Sequence, residues 1–156
     1  SEPPVFVNTV KVQSAKDMYD AVIERADSMD IIVKAAAVAD YRPKNVSSEK
    51  VKKQDGNMSI ELERTDDILK TLGERKNGQF ICGFSMETEN MLENSRKKLE
   101  KKNCDMIVAN NLKQDGAGFG GNTNIVTLIT KDDEVQLEKM TKDEVAEKIF
   151  DFILSR

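Results

Sequence analysis

Hydrophobic and polar positions along this chain alternate between two periods, one suited to helices and one to strands. In residues 14–29, Ala15, Met18, Tyr19, Val22, Ala26 and Met29 recur three and four apart, which puts them on one helical face. The next segment, DIIVKAAAV at residues 30–38, is nearly continuous in apolar residues and reads as a strand covered on both sides. MSIELE at 58–63 reads as a short strand, and Thr65 is placed to cap a helix over DDILKTLGER. QFICGF at 79–84 is a further buried strand. Residues 87–103 then form an amphipathic helix with Thr88, Met91, Leu92, Ser95 and Leu99 inward, followed by the strand CDMIVAN at 104–110. The loop NLKQDGAGFGGNT leads to the alternating strand NIVTLIT. Thr141 and Glu144 make a capping box for a last helix that turns Val145, Ile149, Phe152 and Ile153 inward. Ahead of the first helix, VNTVKV has the pattern of a strand.

Strands alternating with helices predict an α/β fold, a doubly wound and mostly parallel sheet built from βαβ units. Ligands bind beyond the carboxyl ends of the strands in such sheets. That rule selects residues 35–43, 83–88 and 109–111 and the loop through Phe119.

Composition narrows the chemistry. With 156 residues, 38% hydrophobic and 33% charged, the chain fits one soluble domain, expected in the cytoplasm and without a membrane span. A net charge of −4 opposes general attraction to nucleic acid or anionic membrane. There is no histidine, so Ser-His-Asp triads, Cys-His dyads and His-ligated zinc are impossible within the chain. Cys82 and Cys104 lie in apolar strand-like runs, too far apart for CxxC spacing, and read as buried reduced thiols. No GxGxxG follows a first strand and no GxxxxGK[ST] occurs, so a nicotinamide oxidoreductase or a P-loop NTPase has no support.

Three stretches carry candidate chemistry. In AAAVADYRP at 35–43 the small residues let a ligand approach the backbone closely, with Asp40 at the strand's end to meet a ribose, a metal or a donor. Close helix packing with Asp40 as a turn cap explains the same residues equally well. On the long helix, Lys98 and Lys102 fall at the edge of the inward stripe while Lys97 and Lys101 project away. Two ammonium groups turned toward the protein body suit an anion such as a phosphate chain, or they snorkel over apolar surface. EKVKK at 49–53 is a solvated charge run, or a loop lysine that closes over a phosphate. Phe84 and Phe119 are placed to stack on a base or to fill the core.

Taken in order, AAAVADYRP, EKVKK, a D-I-L helix start, GFSMET, a Lys-x-x-x-Lys helix, DMIVANN and F-x-x-x-x-N resemble the phosphopantothenoylcysteine synthetase family, the second half of the bacterial bifunctional coenzyme A biosynthesis flavoprotein. The resemblance covers nearly the whole chain. It implies a Rossmann-like homodimer that joins 4′-phosphopantothenate to L-cysteine using CTP and Mg²⁺. The carboxylate attacks the α-phosphate to give an acyl-cytidylate and pyrophosphate, and the cysteine amine then displaces CMP. Residue by residue it implies nucleotide contacts from Ala36, Ala37, Asp40, Asp66, Asp67, Ile68, Leu69, Phe84, Lys98 and Lys102. Lys50 matches the catalytic loop lysine, also a nucleotide contact, and Tyr41, Arg42 and Pro43 start its loop. No metal ligand is implied within the chain. A flavin-dependent decarboxylase domain accompanies some members of the family.

Departures from the family pattern qualify this. Asp66 stands where the family has proline, and GFSMET replaces GFAAET. The family's opening Gly-Gly-Thr strand and its Thr-Asn-x-Ser-Ser-Gly loop have no counterpart. Residues 1–156 are therefore expected to be a ligase domain incomplete at its amino terminus and inactive alone, with VNTVKV and DIIVKAAAV parted by a missing central strand. Two alternatives stay open: an ATP-using version of the ligase, and a non-catalytic nucleotide-binding or dimerisation module.

Overall fold

In the chain's structure, a computed structural model, residues 4–47, 49–52, 56–87, 89–111 and 122–156 are described. In chain order they form α1 (Ala15–Ala26), β1 (Ile31–Lys34), β2 (Tyr41–Pro43), β3 (Leu62–Arg64), α2 (Ile68–Arg75), β4 (Phe80–Glu87) and α3 (Met91–Lys101). Then follow β5 (Met106–Asn111), β6 (Thr123–Asn124), β7 (Val126–Ile129), β8 (Glu134–Gln136), β9 (Met140–Thr141) and α4 (Lys142–Leu154). The main sheet has the order β1-β4-β5-β7-β8. Its first three strands are parallel and the last two pairings are antiparallel. The ribbons β2–β3 and β6–β9 lie outside it.

Strand periodicity divides the core into two layers. In β5, Ile107 and Ala109 join Ala26, Leu69, Leu72 and Leu99 of α1, α2 and α3 on one face. Met106 and Val108, pointing the other way, meet Val145, Ile149 and Ile153 of α4. Each of the buried Val, Leu, Ile and Met side chains among these contributes about 1.5–3 kcal/mol of transfer free energy. α4 starts at the expected capping box, in which the Thr141 hydroxyl accepts from the Glu144 amide and the Glu144 carboxylate accepts from the Thr141 amide. A second box that the pattern did not reveal, Ser14 with Asp17, starts α1.

Several boundaries differ from the sequence pattern, each for a physical reason. The strand expected at 30–38 ends at Lys34, and Ala35, Ala36 and Ala37 are exposed. β1 is the edge of the sheet, so neither of its faces is fully covered and Val33 is 38% exposed. No strand forms at residues 7–12, where Val7 and Val10 are exposed without a pairing partner. MSIELE contributes only Leu62 and Glu63 to a strand, and β3 pairs with β2 rather than with the main sheet. The strand expected at 79–84 runs further: β4 has neighbours on both sides, and its ladder continues to Glu87, opposite Asn111. α3 consequently starts later, at Met91, and Leu92 on its first turn is 40% exposed rather than inward. Thr88, Lys53 and Phe119 lie outside the described residues.

Thr65 does not cap α2. Its amide donates to the Asp40 carbonyl at 3.0 Å and its hydroxyl to the Ala39 carbonyl, which pins the AAAVAD stretch against the ribbon. Asp67 is the cap instead, its carboxylate accepting from the Lys70 amide at 2.9 Å.

Candidate functional site

A cleft of about 880 Å³ crosses the carboxyl ends of β1, β4 and β5, where an α/β sheet is expected to bind its ligand. One wall is the backbone of Ala35, Ala36 and Ala37 with Asp40. A second is the start of α2, residues Asp66, Asp67, Ile68 and Leu69. Phe84 and Met86 of β4 line it, as do Lys98 of α3 and Lys102 just past the end of that helix. Of the residues expected from the sequence, all but Lys50 line this cleft. Lys50 is exposed, on the chain that leaves the β2–β3 ribbon.

Two glycines set the position of α2 and hence of that wall. Gly83 in β4 leaves room for Leu69: a Cβ there would stand 2.7 Å from Leu69 Cδ2 and 3.0 Å from Ile107 Cδ1. Gly73 lets α2 lie against the end of α3, where a Cβ would come 1.9 Å from the Lys102 carbonyl oxygen.

The cleft is strongly cationic in a protein that is not. Lys34, Arg64, Lys97, Lys98, Lys101, Lys102 and Lys142 line it against only Asp40, Asp66 and Asp67, whereas the whole chain carries −4. Concentrating cations in a concave, half-dry site against the overall charge fits an anionic ligand. Helix geometry sorts the lysines as their spacing predicted: the Lys102 side chain is 16% exposed and that of Lys97 is 68% exposed. Lys97 pairs with Glu93 on its own helix at 2.6 Å, and reaches only the cleft's rim.

The inward ammonium groups hold different partners. Lys102 donates to the Asp67 carboxylate. Lys98 donates to the Phe84 carbonyl at 2.8 Å, and Lys34 to the Ala36 carbonyl at 2.8 Å. Among the described residues, one of these three cations, Lys102, is paired with a carboxylate. Burial opposes ionisation of Asp67, yet the Lys102 ammonium, the Lys70 amide and the charge of Lys34 together hold its carboxyl below the ordinary range. Lys34 is shifted down, first by burial and then by the like charge of Lys98.

Polar residues outside the expected set also line the cleft, among them Lys34 and Arg64, and Asn110 falls in the stretch 109–111 that the strand-end rule selects. Lys34 was legible as a lone charge inside an apolar run, the usual mark of a side chain that turns out at a strand's end. Asn110 of β5 is 7% exposed, and its Oδ1 has no hydrogen-bond partner among the described residues. An unsatisfied buried acceptor beside a cleft is suited to a ligand's N–H or O–H.

Among the described residues, no three Cys, Asp or Glu side chains come together as metal ligands. Mg²⁺ commonly binds through one or two carboxylates together with ligand phosphates, and Asp40, Asp66 and Asp67 are the carboxylates that line the cleft. Neither cysteine serves the cleft. Both are buried free thiols, and burial pushes Cys82 to about 12 and Cys104 to about 11. No helix of the described residues is long and apolar enough to cross a membrane.

The chain is similar to known proteins in sequence and in fold. The chain is 53% identical over 131 residues to the coenzyme A biosynthesis bifunctional protein CoaBC of Bacillus subtilis, covering 84% of this chain and 32% of that protein. It is 43% identical over 151 residues to a cysteine/cysteine sulfinic acid decarboxylase from an unknown prokaryotic organism, covering 96% of this chain and 42% of that one. The chain thus spans about a third to two-fifths of the length of these relatives. The crystal structure of the C-terminal domain of a coenzyme A biosynthesis bifunctional protein CoaBC superposes with a TM-score of 0.79 at 48% identity, covering 99% of this chain and 70% of that one. All of residues 1–156 match the family described as DNA/pantothenate metabolism flavoprotein C-terminal domain, and the chain belongs to that family.

Proposed function

We propose that this chain carries the nucleotide site of a phosphopantothenate–cysteine ligase of coenzyme A biosynthesis, with CTP as the activating nucleotide. The observation that carries the proposal is the cluster of Lys34, Lys98 and Lys102 at the sheet's carboxyl edge, with one carboxylate among the three. A triphosphate supplies the missing negative charge. Ala35, Ala36 and Ala37 leave the backbone open to the nucleoside, and Phe84 offers an aromatic face beside it.

In this reaction a carboxylate oxygen of 4′-phosphopantothenate attacks the α-phosphorus of CTP. The bond to the β-phosphoryl oxygen breaks, and pyrophosphate departs. The cysteine amine then attacks the acyl carbon, CMP leaves with the bonding electrons, and the amine's proton passes to solvent or to a basic group. Both steps move negative charge onto phosphoryl oxygens, and fixed ammonium groups stabilise that charge as it develops. Mg²⁺ bound to the phosphates shares the load. Lys50 acts on the acyl-cytidylate from its loop, which is anchored by the ribbon ends at Pro43 and Leu62. The protein works as a homodimer in the cytoplasm, and a decarboxylase domain accompanies it in the natural gene product. A relative named for cysteine decarboxylation does not redirect the proposal, because the chain spans only 42% of that protein and its name does not say which region acts.

Pyrophosphate release by the natural gene product carrying this chain, with phosphopantothenate, cysteine and either CTP or ATP, tests the assignment. Turnover should require all three substrates and be faster with CTP. Equal turnover with ATP removes the CTP assignment. Lys50→Gln should abolish product while CTP still binds, whereas a purely binding module would show no turnover to lose.

A further inference from the structure

Lys34 has no counterpart among the residues that the family resemblance marks, yet it stands at the centre of the cationic cluster. It is the last residue of β1, half-buried, and its ammonium folds back to donate to the Ala36 carbonyl two residues on. That contact is a weak resting place. It satisfies one of three ammonium protons with a neutral acceptor, and that acceptor is the backbone carbonyl of a residue that lines the cleft. Lys98 and Lys102 from α3 repel the ammonium, while Asp67 and Asp40 are the carboxylates that attract it. Asp67 is already engaged by Lys102. A half-buried lysine beside two others, with no carboxylate of its own, is held in an unfavourable state until an anion arrives.

We propose that Lys34 is a third phosphate-binding cation of the cleft, and that when a phosphoryl oxygen takes its ammonium the Ala36 carbonyl is freed to accept a hydrogen bond from the nucleoside. The inference rests on the proposed nucleotide site and adds a residue and a coupling to it. The coupling is local. Lys34 and Ala36 are two residues apart, so a turn of the lysine side chain suffices and no backbone movement is needed. The triphosphate then prepares the pocket for the nucleoside, because the acceptor becomes available only once the phosphates have drawn Lys34 away.

Titration calorimetry of CTP, tripolyphosphate and cytidine into the wild type, Lys34→Gln and Lys34→Arg tests it. One charge-assisted contact corresponds to roughly a tenfold change in affinity. Lys34→Gln should weaken CTP and tripolyphosphate by about that factor, and Lys34→Arg should recover most of the loss. Cytidine should bind Lys34→Gln at least as well as the wild type. The melting temperature of Lys34→Gln at neutral pH should not fall, because the lysine's charge is disfavoured in the folded protein. Unchanged CTP and tripolyphosphate affinity in Lys34→Gln overturns the inference, even where wild-type CTP binding upholds the nucleotide site. Equal losses for cytidine and CTP with a lowered melting temperature also overturn it, by assigning Lys34 a structural role. Absence of CTP and tripolyphosphate binding in the wild type overturns the underlying site itself.

Discussion

Gly73 in α2 faces the carbonyl oxygen of Lys102 at the end of α3 so closely that a Cβ would lie 1.9 Å from it. The same stretch of α3 is fixed from the other side, where Asn103 Nδ2 donates to the Gly73 carbonyl at 2.9 Å. Packing of two helices and placement of a cleft lysine are therefore one feature. Gly73→Ala should cost about 1–3 kcal/mol, in the range of other overpacking changes, because the clash is with backbone that cannot turn aside. Chemical denaturation reads the stability loss, and CTP titration should show weakened binding in the fraction that folds. Wild-type stability would mean the helices separate without cost.

The lysine pair on α3 should act through charge. Lys98→Gln loses an ammonium now held by a neutral carbonyl, so CTP affinity should drop roughly tenfold, and raising the salt concentration should shrink the gap between variant and wild type. Lys97→Gln, on the rim and paired with Glu93, should change affinity less than about threefold under the same conditions. Equal effects of the two substitutions would refute the helix-face distinction.

Asp67 links a helix cap to Lys102. Its folded carboxyl is held below the ordinary range, so its contribution to stability is present above the unfolded value near 4 and is lost as pH falls through the folded one. Asn is also a good cap, so Asp67→Asn keeps the Lys70 contact and removes the charge. Thermal melts of the two proteins should differ at pH 7 and converge in strong acid. A difference that persists at low pH would assign the effect to the cap and not to the ion pair.

Lys34 gives the opposite limb. Burial holds its folded value below the ordinary lysine range, and Lys98 and Lys102 push the same way while Asp67 and Asp40 oppose them. Phosphate binding needs the protonated form, so CTP affinity should start to fall at a pH below that expected of a free lysine. In Lys34→Arg this limb should move beyond the range where the protein is folded. An unaltered alkaline limb in Lys34→Arg would mean another group titrates there.

Much of this was legible in the residues because the informative features were local. Lys98 and Lys102 separate from Lys97 and Lys101 by helical spacing alone, and the Thr141–Glu144 capping box is a four-residue pattern. Non-local features were not legible. The stretch at residues 30–38 reads as a fully covered strand, but coverage depends on which strands flank it, and β1 is an edge. How far β4 runs past Phe84 depends on β5 lying alongside as far as Asn111. Thr65 looks like a cap until Ala39 and Asp40, distant in sequence, take its hydrogen bonds. What distinguishes Lys34 is the cluster of like charges around it rather than its place in an apolar run, and what distinguishes Asn110 within the selected stretch 109–111 is an acceptor left unsatisfied among the described residues.

The central claim is that the cationic cleft at the sheet's carboxyl edge is the nucleotide site. Amide chemical-shift mapping of the isotope-labelled natural gene product carrying this chain, during a CTP titration, tests it most directly. Saturable shifts should concentrate at Ala36, Ala37, Ile68, Leu69, Phe84, Lys98 and Lys102, leaving Cys104 and Thr130 at the opposite end of the sheet unmoved. Shifts that cluster around Cys104 and Thr130, or none at millimolar CTP, would contradict it.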